Sequence, residues 1–258
     1  MKLNVQTIKD LIENDERLDE RELREYRETK VETDYIPTTA QGSSKVSIGD
    51  TEVIAGISVD VEEPYPDRPE SGTLVTNAEL APMADRDYES GPPQEEGVEL
   101  ARVVDRGIRE SEAINQQKLC IEVGDKVYTV FVDLHILNND GNLIDACSLA
   151  AVAALNTGYI PEYDEETDTL NHDEKGMDIP LEDDVITMTG YKIQDKLVWD
   201  PTSEEEEASN SRLTVSISET GNVVSMQKGG DEPMTSEEIN EVIDEAQDKA
   251  DRFRELAN

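Results

Sequence analysis

The 258-residue sequence is short of cysteine, of positive charge and of long apolar runs. Its two cysteines, Cys120 and Cys147, sit in apolar contexts without CxxC spacing. That excludes a disulfide framework or a paired-thiol metal site, and leaves free buried thiols in a reducing cytoplasm as the expectation. Histidine is equally scarce. His135 has no Cys or second His near it in sequence, so a packed or hydrogen-bonded structural role is expected, and His172 falls in an acidic stretch facing solvent. No metal site and no cofactor follow from these residues. No apolar run approaches the roughly 18 residues of a membrane span, and the opening MKLNVQTIKD has no apolar core of signal-peptide length. A cytosolic protein without membrane attachment is expected.

Positive charge is the largest deficit: 23 Lys+Arg face 61 Asp+Glu, for a net charge of -38. Such a charge repels nucleic acid at long range. The acidic residues are spread along the chain and not gathered in a tail, which favours adaptation to a salty cytoplasm over ordinary cytosolic acidity. At molar salt the Debye length falls to about 3 Å, general repulsion vanishes, and local geometry decides what binds.

What is present is a patterned apolar content of 36%, enough for a folded α/β protein with a real core. Its length suits one large domain or two small ones. Val5, Ile8, Leu11 and Ile12 have helical spacing, and a charged stretch runs from there to residue 30. Strands are predicted at 31–36, 44–48, 51–61 and 73–80, with Gly49-Asp50 as a hairpin turn. A helix is predicted over 95–113 with Val98, Ala101, Val104 and Ile108 as its apolar stripe. A strand at 128–137 puts Tyr128, Val130, Val132, Leu134 and Ile136 on one face. The helix at 143–155 is apolar nearly all round and should be buried. Residues 162–174 read as an acidic loop. Short strands follow at 185–191, 196–200, 213–218 and 223–227, and the four glutamates at 204–207 read as a solvated loop. Trp199 and Tyr191 read as core or interface residues. Thr235 and Glu238 have capping-box spacing at the start of a last helix. Hairpin-linked strands beside helices predict an α+β layered domain.

Arg102, Arg106 and Arg109 lie at i, i+4 and i+7 of the helix at 95–113, on one stripe. Either the stripe grips phosphates, or it is a salt-bridged face paired with Glu99, Asp105 and Glu110. The residues taken alone favour the second.

Four blocks in order carry a resemblance. They are Gly42-Ser43-Ser44-Lys45-Val46-Ser47-Ile48-Gly49-Asp50-Thr51-Glu52-Val53, then Glu79-Leu80-Ala81-Pro82-Met83-Ala84. The third runs Leu100-Ala101-Arg102-Val103-Val104-Asp105-Arg106-Gly107-Ile108-Arg109-Glu110-Ser111. The last runs Asp133-Leu134-His135-Ile136-Leu137-Asn138-Asn139-Asp140-Gly141-Asn142 into Leu143-Ile144-Asp145-Ala146-Cys147. Over most of its length the chain resembles the larger, inactive RNase PH-like subunit of the archaeal RNA exosome.

The resemblance implies an α+β, βαβα RNase PH-like domain over 1–258. It would have an N-terminal helix and charged lead-in (1–30), a core (31–228) and a C-terminal helix (235–258). It implies a hexameric ring of three heterodimers with the catalytic RNase PH-like subunit, degrading or tailing RNA from its 3′ end with phosphate or nucleoside diphosphates. The partners implied are that subunit, RNA-binding cap subunits and single-stranded RNA. It shifts the arginine stripe toward RNA, with Arg102 and Arg106 on the RNA path and Arg109 completing the stripe.

Two departures mark the chain as non-catalytic on its own. Active relatives hold phosphate with Gly-Ser-Arg at a helix start, where this chain has Gly141-Asn142-Leu143, beside the repelling charges of Asp140 and Asp145. Their catalytic Asp has no carboxylate counterpart in Asn210-Ser211-Arg212-Leu213. The alternative, a phosphate-dependent 3′–5′ exoribonuclease active by itself, rests on fold alone. A third departure is structural: the family's R-x-D-G-R stretch reads Arg17-Leu18-Asp19-Glu20-Arg21, so that turn is expected to differ in shape.

Overall fold

The computed structural model describes residues 5–258, apart from the side chain at position 173; residues 1–4 of the lead-in lie outside the described residues. The first sheet comprises β1 (Thr29–Thr33), β2 (Gly42–Ile48), β3 (Thr51–Glu62), β4 (Thr73–Leu80), β5 (Cys120–Glu122) and β6 (Lys126–Asn138). The order is β1-β2-β3-β6-β4, with β5 paired to the start of β6. Strict alternation sets the register of its centre. Val53, Ala55, Ile57 and Val59 stand opposite Ile136, Leu134, Val132 and Val130, and all eight are buried on one face. The β2–β3 hairpin closes at Gly49-Asp50 as expected, with Gly49 at φ 56°.

Helix α1 (Val5–Glu13) precedes this sheet, and α2 (Glu95–Glu110) connects β4 to β6, which run parallel. Helix α3 (Leu143–Asn156) follows β6. The hairpin β7 (Tyr159–Asp164) and β8 (Thr169–Asp178) leads to a second, antiparallel sheet. That sheet holds β9 (Ile186–Ile193), β10 (Lys196–Trp199), β11 (Ser211–Ile217) and β12 (Val223–Gly230) in the order β10-β9-β11-β12. The short α4 (Ser203–Ala208) sits between β10 and β11, and α5 (Ser236–Ala257) closes the chain. Glu238 reciprocates the Thr235 cap at the start of α5, as its spacing predicts.

Helix α3 joins the two sheets. It packs on β2 and β3 from one side and on β9 and α5 from the other, and is buried from Leu143 to Leu155. Its alanines permit this closeness. A Cβ on Gly42 of β2 would stand 2.4 Å from the Ala154 carbonyl oxygen, so only glycine fits there. One apolar core runs from the first sheet through α2 and α3 to the second sheet and α5. Burying each Leu, Ile or Val of α3 stabilises the fold by about 1.5–3 kcal/mol. A smaller cluster of Ile8, Ile12, Ile193, Val198 and Ala208 seats α1 against the second sheet.

Three expectations are corrected. The buried face of α2 is Gly97, Leu100, Val103, Val104, Gly107 and Ile108, while Val98 is 41% exposed and Ala101 half-buried. Glycines bring this face close to its neighbours: a Cβ at 107 would meet the Ser216 and Thr187 hydroxyls at 3.0 and 3.1 Å. Glycine carries no hydropathy signal, so the apolar pattern pointed elsewhere. The stretch 162–174 is mostly the β7–β8 ribbon and not a loop. Its side chains are largely exposed, so backbone pairing leaves no apolar alternation to read. The glutamates at 204–207 lie in α4, with Glu205 buried and Glu204 and Glu206 half-buried.

Candidate functional site

Helix α2 divides its three arginines. Arg109, in the last turn, is half-buried, with Nε and Nη2 on the Asp105 carboxylate at 2.9 and 2.8 Å. Nη2 also donates to the Leu74 carbonyl of β4 at 2.9 Å. The Asp105 carboxylate beside it pushes its guanidinium above the usual arginine range. Arg106 is exposed and donates from Nη1 to Gln227 of β12 at 3.1 Å. Arg102 is exposed and makes no hydrogen bond or ion pair among the described residues. Glu99, a partner for it by spacing, instead binds Arg212 at 2.8 Å and Gln227 at 3.2 Å. The salt-bridged face is therefore real at Arg109 and absent at Arg102.

The start of α3 is built from distant segments. Gly141 has φ 84°, and a Cβ there would stand 2.4 Å from the Pro201 carbonyl oxygen. Asn142, the N-cap, adopts φ 60°. Its backbone N–H donates to Glu206 Oε1 at 2.9 Å, and the Tyr191 hydroxyl donates to the same oxygen at 2.6 Å. Burial pushes the Glu206 carboxyl upward, against the pull of Tyr191, Asn142 and Arg212. Asn142 Nδ2 reaches the buried Asp200 at 3.0 Å. Asp200 is clasped by Arg27 at 2.7 and 2.9 Å and by Arg21 at 3.1 Å. Arg27 also binds Asp140 at 3.0 Å, which offsets the local charge expected to repel phosphate there.

Beside this network Arg17 grips Glu205 with Nε and Nη2 at 2.9 and 2.5 Å, both side chains almost wholly buried. Glu20 lies in the left-handed region that glycine favours, at φ 64°. Holding a glutamate in that conformation costs about 1–2 kcal/mol.

Sequence reasoning missed Glu205 and Glu206 because a run of like residues conceals which member turns inward. Asp145, for which no chemistry was expected, is buried, and its Oδ2 accepts from the Tyr26 hydroxyl at 2.9 Å. Desolvation pushes its carboxyl up to about 7. His135 is exposed, with Nδ1 3.3 Å from the Glu79 carboxylate, so of the packed or hydrogen-bonded roles expected the packed one does not hold. Trp199 and Tyr191 are core residues, as expected. Cys147 is buried and Cys120 half-buried; both are free thiols. A pocket of about 470 Å³ opens in front of the α3 start, lined by Tyr88, Glu96, Glu99, Asn139, Glu206 and Arg212, among others. No group of three metal-ligating side chains occurs among the described residues, and no described helix is long and apolar enough to cross a membrane.

The 3′ exoribonuclease family matches with its domain 1 over residues 25–161 and its domain 2 over residues 184–249. The chain belongs to the RNase PH family. Within that family it is similar to the exosome complex component Rrp42 of Methanothermobacter thermautotrophicus, at 43% identity over 96% of this chain and 92% of the relative. The Rrp42 of Methanosarcina mazei is 45% identical, over 96% of this chain and 91% of that one. Among solved structures, a chain of the Archaeoglobus fulgidus exosome with RNA bound to the active site superposes with a TM-score of 0.90 at 39% identity, covering 98% of this chain and 97% of that one. An archaeal exosome core gives 0.86 at 38%, covering 98% and 95%. Rice Rrp46, at 18% identity and a TM-score of 0.71 over 93% of this chain and 98% of that one, shares the RNase PH fold.

Proposed function

We propose that this chain is the non-catalytic RNase PH-like subunit of a cytoplasmic archaeal exosome. It pairs with the catalytic RNase PH-like subunit in a hexameric ring of three heterodimers. The ring carries RNA-binding cap subunits, and single-stranded RNA passes along it to the partner's active site. The whole chain acts as one folding unit in that ring, consistent with its continuous core.

The observation that carries the reading is the start of α3. In-line attack of phosphate on an RNA linkage needs a cationic cradle for the phosphate and stabilisation of the developing charge. Here the helix start presents Asn142 and Leu143, with neither a guanidinium nor a hydroxyl of its own. Of the arginines nearby, Arg27 is held by Asp140 and Asp200, and Arg212 reaches Glu99 from the pocket wall.

Arg102 and Arg106 are the groups proposed to meet RNA. Both are exposed on one face of α2, and Arg102 is free of competing carboxylates among the described residues. Arg109 completes the stripe and sets the position of α2 through Asp105 and β4. An arginine fork can hold two phosphate oxygens at once. Geometry matters more than charge at high salt, where counterion release drives binding weakly.

The test compares the chain alone and with its catalytic partner, in RNA and inorganic phosphate. Nucleoside diphosphates should appear only with the partner present. Steady phosphorolysis by the partner-free chain refutes the proposal. In the assembled ring, Arg102→Lys with Arg106→Lys should weaken RNA binding in fluorescence anisotropy at both low and molar salt. Unchanged affinity at both leaves the stripe without an RNA role.

A further inference from the structure

The start of α3 has an occupant. A helix N-terminus carries about half a positive charge and unpaired N–H groups, and so favours an anion. Here the anion is part of the chain: Glu206 Oε1 accepts from the Asn142 N–H and from the Tyr191 hydroxyl.

The side chain is placed there by rigid parts. Helix α4 is fixed one residue earlier by Glu205, whose Oε2 accepts from the Thr202 N–H at 2.9 Å while both its oxygens lie in the Arg17 fork. The segment leading into α4 presses on the segment leading into α3 at Gly141, where no side chain fits. With α4 anchored at Glu205 and the two lead-ins in contact, Glu206 is directed at the α3 start. In front of the carboxylate lies the pocket of about 470 Å³, with Arg212 on its wall. That pocket is large enough for a phosphate ester, and it holds a cation and a helix start. The Glu206 carboxylate lines it, together with Asp85, Asp87, Glu96, Glu99 and Glu207.

We propose that Glu206 is a built-in anion that fills the α3 anion site and keeps inorganic phosphate and phosphate esters out. The inference rests on the non-catalytic reading above and deepens it: the site is blocked by an occupant as well as lacking catalytic groups. Neutralising the charge alone should not open it, because glutamine keeps both the bulk and an acceptor oxygen. Removing the side chain should.

The experiment uses the full chain in molar potassium chloride, where the Debye length of about 3 Å suppresses general repulsion. Binding of inorganic phosphate is read by ³¹P line broadening. The parent and Glu206→Gln should show no saturable binding. Glu206→Ala should bind phosphate saturably at millimolar affinity, at least about tenfold tighter than the parent. Adding Arg212→Ala to Glu206→Ala should abolish that binding. Glu206→Ser, whose short side chain also leaves the site empty, serves if the alanine variant does not melt cooperatively, and should bind likewise. Saturable binding by the parent overturns the proposal, as does its absence from a cooperatively folded Glu206→Ala or Glu206→Ser. If neither variant folds, Glu206 is a core element and not a displaceable occupant, which also overturns it. Each of these outcomes is separate from RNA phosphorolysis by the parent, which alone decides the non-catalytic reading.

Discussion

Asp145 should make the protein less stable as pH rises, and a single substitution should remove that dependence. The residue lies in the first turn of α3, 2% exposed, with the Tyr26 hydroxyl on Oδ2. Desolvation outweighs the pull of the neighbouring Thr189, Tyr26 and Asn142, and raises its carboxyl from 3.8 to about 7. A group whose folded pKa lies above its unfolded pKa binds a proton more tightly in the folded state. Below about pH 4 both states are protonated and the group contributes no penalty. Between about pH 4 and 7 the unfolded chain loses the proton first, so stability falls by about 1.4 kcal/mol per pH unit. Above pH 7 the full penalty is present, of order 4 kcal/mol. Against a typical total of about 5–15 kcal/mol, that effect is large. Self-repulsion at net charge -38 also grows with pH, so the parent's profile alone cannot isolate Asp145. The difference between parent and Asp145→Asn can, because the amide keeps an oxygen for Tyr26 and never ionises. Urea unfolding in fixed molar potassium chloride from pH 5 to 8 should show the variant gaining on the parent as pH rises. A difference that stays constant across that range refutes the assignment of an ionisable, desolvated Asp145.

Arg17→Met should destabilise the chain by about 3–5 kcal/mol, because it leaves the Glu205 carboxylate buried without its partner. Arg17→Met with Glu205→Met should recover part of that loss in urea unfolding; a double variant no more stable than the single would show that the cost is one of packing. The net charge of -38 should make the melting temperature rise as potassium chloride goes from about 0.1 M, with a Debye length of about 10 Å, to molar levels. A flat profile over that range would assign the acidity another cause than salt adaptation.

By itself the sequence determined those elements whose burial is written in apolar residues. Helix α3 is apolar on every side and lies between two sheets; β3 and β6 alternate and share one buried face; Thr235 and Glu238 cap α5. In each, the neighbour in space imposes a period on the neighbours in sequence. The arginine stripe was equally legible as a spacing, since i, i+4 and i+7 must share a helical face. Which contacts that face makes came from elsewhere in the chain: β4 lies close enough to take Arg109, β12 offers Gln227 to Arg106, and Arg212 draws Glu99 away from Arg102. Tertiary contacts likewise decided which glutamate of 204–207 turns inward. The partners of that run, Arg17, Asn142 and Tyr191, come from three other parts of the chain, and the first is 188 residues away. A glycine face and a buried carboxylate leave no hydropathy pattern. Glycine has no side chain to carry one, and a buried acid is indistinguishable in sequence from a surface acid until the fold brings its cation from elsewhere in the chain.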